Sequence, residues 1–136
     1  MPGKRPLTAL AAGLASATQL DELALYTMMR DQPAGITREL RRALGAGRGV
    51  LVFVDQLEEV VTLAGDEADA FTAVLSHIAG GAPGVRVLAT VRGDFVSRVS
   101  LDLSRGLYVL RPLTDEGTRE AIVGPARARG GRFESP

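Results

Sequence analysis

Residues 50–54 form an uninterrupted apolar run, Val-Leu-Val-Phe-Val, that leads directly into Asp55. Such a run, rich in β-branched and aromatic side chains, is typical of a strand that is buried on both faces, as in a parallel sheet. A carboxylate that follows the carboxyl end of the strand lies where open α/β sheets bind their ligands. The run therefore predicts an α/β fold with a polar site at this end of its sheet.

A second apolar run, residues 85–91, leads into a polar tip, Arg-Gly-Asp at residues 92–94. It predicts a second strand, and residues 107–110 predict a third, short strand at a sheet edge. Because both longer strands carry apolar residues on both faces, we expect a parallel sheet of about three strands with helices on both faces. The helical pattern at residues 66–79 supplies the crossover that two parallel strands need.

Helical periodicity dominates the start of the chain, so residues 1–48 are predicted to be a helical segment. Residues 49–136 are predicted to hold the sheet and the functional residues. Both parts are expected to form one domain, since a length of 136 residues allows no more than one. The predicted helices span residues 7–16, 21–30, 33–44, 55–63, 66–79 and 115–123.

The charge balance excludes several classes of function. The chain has 16 basic and 16 acidic residues, which argues against a nucleic-acid-binding or anionic-membrane surface. Aromatic residues make up 4% of the chain, too few for platforms that stack nucleic-acid bases. There is no cysteine, and His77 is the only histidine, so disulfides, Cys-based zinc sites and His-rich metal sites are excluded.

The amino terminus has two interpretations. Lys4 and Arg5, followed by residues 7–14 and an Ala-Ser-Ala sequence at 15–17, resemble a secretory signal peptide. The segment is only weakly hydrophobic, however, and its larger apolar residues fall on one helical face, as in an amphipathic helix. No apolar stretch approaches the ~20 residues of a membrane span. We therefore expect a cytoplasmic protein whose first helix belongs to the fold.

Two further carboxylates, Glu58 and Glu59, follow Asp55 within one helical turn. This is the pattern of a Walker B segment, in which the first Asp holds Mg²⁺, usually through water, and a later acid positions the water that attacks the γ-phosphate. Glu58 lies about one turn after Asp55, so its carboxylate can point back towards it, and Glu59 is the second candidate. The alternative is that Asp55 only caps a helix that begins at Leu57.

Four motifs follow one another in the second part of the chain: Asp-Gln-Leu-Glu-Glu at 55–59, Ala-Thr-Val-Arg-Gly-Asp-Phe at 89–95, Leu-Thr-Asp-Glu at 113–116 and Ala-Ile-Val-Gly-Pro-Ala-Arg at 121–127. As an ordered set they resemble the novel STAND NTPase family, P-loop signal-transduction ATPases with numerous domains. The resemblance covers most of the chain, from about Arg5 to Phe133. The first motif is also similar to the NACHT form of Walker B.

The resemblance implies an ATP- or GTP-dependent switch that uses Mg²⁺. It implies that Asp55 binds the metal, that Glu58 or Glu59 positions water, and that Gln56 and Thr90 contact the nucleotide. Gln56 stands where many related ATPases have a catalytic Glu; its amide can orient a water but cannot take a proton. The implied partners are other domains of a longer chain, often β-propeller repeats, and neither nucleic acid nor membrane.

Arg92 has two interpretations. The resemblance implies a catalytic sensor that supplies positive charge where charge develops on the γ-phosphate. The alternative is a salt bridge to Asp94 or to the acids of residues 55–59.

The phosphate-binding loop of the family, G-x-x-x-x-G-K-[ST] (Walker A), does not occur in the 136 residues. The only Gly-Lys pair, Gly3-Lys4, has no glycine at the required spacing and cannot form the backbone cradle for phosphates. The resemblance implies that the missing Walker A strand is central, between the strands that end near Asp55 and Arg92. We therefore expect a partial P-loop NTPase core, inactive by itself, whose two long strands pair directly because unpaired inner edges are costly.

Two other functions stay open. One is a non-catalytic interaction or scaffold domain, or a gene remnant, that keeps the sheet and binds no nucleotide. The other is a small α/β hydrolase or transferase that uses the same acids on another substrate. An in-frame G-x-x-x-x-G-K-[ST] unit in the upstream DNA would favour the nucleotide switch, whereas stop codons there would favour the remnant.

Overall fold

The computed structural model of the protein describes residues 4–63, 65–99 and 106–131, so Gly3 of the Gly-Lys pair lies outside the described residues. The chain divides into two compact units, Met1–Asp102 and Leu103–Pro136. None of the described helices is long and apolar enough to cross a membrane. The first unit contains α1 (Pro6–Thr18), α2 (Glu22–Asp31), α3 (Ile36–Leu44), β1 (Val50–Val54), α4 (Glu58–Leu63), α5 (Ala68–Ala79) and β2 (Val85–Ala89), and the second contains α6 (Asp115–Ala128).

Three helices begin at a first-turn proline or at a side chain that caps the helix. Pro6 occupies the first turn of α1, where its missing N–H is not needed. Asp21 caps α2 by accepting a hydrogen bond from the N–H of Ala24 at 2.8 Å, and the Thr114 hydroxyl caps α6 by accepting one from the N–H of Gly117 at 3.1 Å. The predicted helices are confirmed apart from shifts of their ends, except that α6 does not end at residue 123 as expected but runs through Gly124 and Pro125 to Ala128.

The two strands pair directly and in parallel, as predicted. Val50 of β1 lies opposite Val85 of β2, and the register continues to Val54 opposite Ala89. No strand separates them, so a further strand would have to add at an outer edge of the sheet. The sheet begins at a close approach of two loops, because a Cβ on Gly49 would lie 3.0 Å from the carbonyl oxygen of Gly84.

Only one face of this sheet is covered by the helices of the first unit. Val52, Val54 and Val85 are buried, and α5 packs against β2. On the opposite face Leu51 is 63% exposed and Phe53 57% exposed. The prediction of helices on both faces is therefore wrong for this unit. The apolar run could not reveal this, since both sets of alternating residues are hydrophobic.

The predicted third strand at residues 107–110 is not formed. Among the described residues the sheet has two strands, and residues 107–110 are irregular and exposed. A strand is stable only when its backbone groups pair with a neighbour, and local β-propensity does not supply that neighbour. The sequence pattern therefore predicted a strand for which the described part of the sheet provides no pairing edge.

The side chain of Glu67 connects the segment before α5 to the start of α1 by hydrogen bonds. Its Oε2 accepts the N–H of Leu7 at 2.9 Å, and its Oε1 accepts the hydroxyls of Thr8 at 3.3 Å and Tyr26 at 3.4 Å. The first turn of α1 has no acid and no side-chain cap of its own. Glu67 thus acts as a cap that is distant in sequence, satisfying an amide that the helix leaves free.

We expect Glu67→Ala to lower the free energy of unfolding by about 1–2 kcal/mol, the range found for lost helix caps. Glu67→Gln should cost less, because its amide oxygen can still accept a hydrogen bond. Glu22→Ala, at an exposed acid in the first turn of α2, is the control and should change stability by about 0.5 kcal/mol or less. Urea denaturation measures all three, and equal losses at Glu67 and Glu22 would contradict the capping role.

Candidate functional site

Backbone hydrogen bonds join the two strand ends at the carboxyl edge of the sheet, where the site was predicted. The N–H of Thr90 donates to the carbonyl oxygen of Val54 at 2.9 Å, so the parallel ladder extends one residue beyond β2. The N–H of Leu57 donates to the carbonyl oxygen of Thr90 at 2.8 Å. The turn that carries Asp55 and Gln56 is therefore attached to Thr90 on both sides.

The hydroxyl of Thr90 makes two further bonds to the same turn. It accepts the N–H of Gln56 at 2.8 Å and donates to Oδ1 of Asp55 at 2.7 Å. Two residues that the sequence assigned to the site thus meet across the strand pair. The contact joins positions 35 apart in the chain, so local patterns could not predict it.

Gln56 adopts a left-handed backbone conformation, with φ of 58°. For a residue with a side chain this conformation costs roughly 1–2 kcal/mol. The turn directs Leu57 into the core, where it is 3% exposed, and lets α4 begin at Glu58. Nothing in the sequence signalled this turn, because Gly or Asn is the usual residue at such a position.

Glu58 faces the loop that follows β2. Its Oε2 accepts the backbone N–H of Arg92 at 3.3 Å, a long hydrogen bond between the first residue of α4 and the tip of the second strand. Glu59 is the next residue of α4 and is partly buried. Glu58 and Glu59, the acids predicted to act beside Asp55, are therefore the first two residues of α4.

The guanidinium of Arg92 pairs with Asp94. The Nη2–Oδ2 distance is 2.9 Å and the Nε–Oδ1 distance is 3.2 Å, and the guanidinium also lies over the ring of Phe95. The salt bridge to Asp94, the alternative to a sensor role for Arg92, is thus present. Both side chains are more than half exposed, so the pair contributes only about 1 kcal/mol or less. Arg92 could therefore leave Asp94 at little cost.

The carboxylate oxygens of Asp55 are suitable ligands for a hard cation. Oδ1 of Asp55 accepts from Thr90, whereas no described residue donates a hydrogen bond to Oδ2. Within the described parts of the chain, no group of three or more His, Cys, Asp or Glu residues could hold a metal. Mg²⁺ at phosphate sites typically takes one or two carboxylates and completes its shell with water and phosphate oxygens. Asp55 fits that requirement as a protein ligand.

A groove beside the site has a different character. It lies between α1 and β1, with a volume of about 260 Å³. Small residues of α1, Ala9, Gly13 and Ala17, line one side, and among the described residues that line the groove Asp55 is the only ionisable one. Phosphate groups need cationic or N–H donors, so this groove is unsuited to them.

The chain matches the family Novel STAND NTPase 1 over residues 1–136, which is its whole length. Comparisons with curated proteins and with solved structures found no match.

Proposed function

Because this chain belongs to the Novel STAND NTPase 1 family, we propose that it is a fragment of a nucleotide-dependent signalling switch. It supplies the Walker B acid and the sensor strand of the switch but not the phosphate-binding loop. The observation that carries the proposal is the hydrogen bond from Thr90 to Asp55, which fixes a carboxylate at the carboxyl end of paired parallel strands. Open α/β sheets bind their ligands at this edge.

In this proposal Asp55 holds Mg²⁺, which when bound neutralises charge on the phosphate oxygens of ATP or GTP. Glu58 positions the attacking water, and Glu59 is the second candidate. Gln56 lies in the turn between Asp55 and Glu58, and its side-chain amide can orient water without accepting a proton. The backbone bond from Arg92 to Glu58 supports this arrangement, since it links the acid to the sensor loop.

Arg92 is proposed to act as the sensor. Its exposed pairing with Asp94 is weak, so a phosphate group can compete for the guanidinium. The paired arrangement then corresponds to a resting state, and the nucleotide-bound state has Arg92 turned towards the γ-phosphate. Nucleotide binding would in this way be coupled to the conformation of the loop that follows β2.

A non-catalytic interaction domain is the second candidate function. The exposed face of the sheet, with Leu51, Phe53 and Leu88, favours it because such a surface is suited to packing against another domain. The two functions are compatible if the domain that packs against this face belongs to the same longer, cytoplasmic chain. β-Propeller repeats are one form that such a partner domain can take. The two functions differ in whether Asp55 takes part in nucleotide binding.

We expect calorimetric titration of this chain with Mg-ATP to show no binding tighter than about 1 mM. Most phosphate affinity in P-loop proteins comes from the backbone cradle and its Lys, which the sequence does not contain. A micromolar dissociation constant would contradict this expectation.

A longer chain in which a G-x-x-x-x-G-K-[ST] unit precedes these residues tests the proposed function itself. It should bind Mg-ATP, and Asp55→Asn should weaken the Mg²⁺ dependence of binding. A non-catalytic domain would show no such dependence. Asp69→Asn, at an exposed acid in the first turn of α5, is the matched control and should behave like the unaltered chain.

A further inference from the structure

We infer that Thr90 is a positioning residue that orients the carboxylate of Asp55, and that it acts through Asp55 instead of binding the nucleotide directly. The inference rests on the proposed function, in which Asp55 holds Mg²⁺. It assigns Oδ1 of Asp55 to Thr90 and leaves Oδ2 for the metal. The argument depends on the direction of two hydrogen bonds.

The direction of both bonds follows from the atoms involved. The backbone N–H of Gln56 can only donate, so Oγ1 of Thr90 must accept it, at 2.8 Å. The single hydroxyl proton of Thr90 is then free to point elsewhere, and Oδ1 of Asp55 lies 2.7 Å away. An ionised carboxylate is an acceptor only, so this bond is charge-assisted and short.

These bonds restrict the rotation of the Asp55 side chain. Thr90 is itself fixed, because its N–H and its carbonyl oxygen bond to Val54 and Leu57. The hydroxyl therefore links a rigid strand end to one oxygen of Asp55. A carboxylate that is held in one orientation binds a cation more tightly than a freely rotating one, since less freedom is lost on binding.

The hydroxyl is separable from the backbone bonds that shape the turn. The amides of Thr90 and Leu57 bond to carbonyl oxygens, and those bonds do not use the side chain at position 90. Thr90→Val keeps the shape and the β-branch and removes only the hydroxyl. Thr90→Ser keeps the hydroxyl and removes the methyl group, so it provides the rescue.

Mn²⁺ serves as the probe, because it prefers oxygen ligands as Mg²⁺ does and broadens nearby NMR signals. The whole 136-residue chain is titrated with Mn²⁺, and broadening of the Gln56 and Leu57 amide signals is followed. Thr90→Val should weaken the apparent affinity roughly three- to tenfold, and Thr90→Ser should stay within about twofold of the unaltered chain. Thr27→Val, at an exposed helical threonine, is the matched control and should change nothing.

Amide exchange gives a second measurement that does not depend on the metal. In Thr90→Val the amide of Gln56 should exchange about tenfold faster, while the amides of Leu57 and Thr90 keep their rates. Thr90→Ala should give the same result, so a folding defect of the valine variant does not decide the outcome. Unchanged exchange at Gln56 in both variants would overturn the inference.

The variants separate this inference from the proposed function. If Asp55→Asn abolishes the broadening but Thr90→Val binds Mn²⁺ like the unaltered chain, Thr90 is not a positioning residue and the role of Asp55 stands. If Thr90→Ser weakens binding as much as Thr90→Val, the hydroxyl is not responsible and the inference is also overturned. If Asp55→Asn binds Mn²⁺ unchanged, or the unaltered chain shows no broadening, the metal-binding role of Asp55 fails and the inference fails with it.

Discussion

Leu75→Ala is expected to lower the free energy of unfolding by about 3 kcal/mol, within the range for large cavities in a packed core. Leu75 is completely buried in α5, and this helix packs against α1, α2, α3 and β2. Neighbours on so many sides limit the collapse of the cavity that the substitution leaves. Urea denaturation of the 136-residue chain measures the loss.

Leu88→Ala is the matched control, since it makes the same chemical change on the open face of the sheet. Leu88 is 54% exposed, so the loss should be about 1 kcal/mol or less. If Leu88→Ala costs as much as Leu75→Ala, the open face is covered in solution. That result would favour an interaction function for the surface formed by Leu51, Phe53 and Leu88.

The elements with long local patterns were predictable from the sequence. The apolar runs before Asp55 and Arg92 identified both strands, and the helical periodicity identified the helices around them. The second strand is shorter than predicted, ending at Ala89 instead of residue 91. Beyond it, Thr90 adds one bond to the ladder, and its side chain and carbonyl oxygen bind the turn after β1.

Long-range pairing was harder to predict, because it depends on which neighbours the fold provides. The extended pattern at residues 107–110 lacks a partner among the described residues, and the apolar faces of β1 and β2 do not reveal that helices of the first unit cover only one of them. The left-handed turn at Gln56 and the role of the Thr90 hydroxyl are likewise products of tertiary structure. By contrast, the Arg92–Asp94 salt bridge was one of the alternatives that the sequence offered, since the two residues lie two positions apart.

If the proposed function holds, nucleotide hydrolysis should depend more on Glu58 than on Glu59. In a chain that also carries the phosphate-binding loop, we expect Glu58→Gln to slow hydrolysis roughly 100-fold or more, the contribution of a general base, and to leave nucleotide bound. The amide oxygen of Gln can still accept the N–H of Arg92, as Oε2 of Glu58 does at 3.3 Å, so the site keeps its shape. Only the charge and the capacity to take a proton are lost.

Glu59→Gln is the matched control for this experiment, because it makes the same change one position further along α4. Successive helical residues point about 100° apart, so both carboxylates cannot face the same water equally well. Single-turnover hydrolysis and retention of labelled nucleotide, measured on both variants, separate chemistry from binding. Glu58 contacts the loop that follows β2, where Arg92 is the proposed sensor, and should give the larger loss and the longer retention. A stronger block by Glu59→Gln would reverse the assignment and make Glu58 a structural link to Arg92.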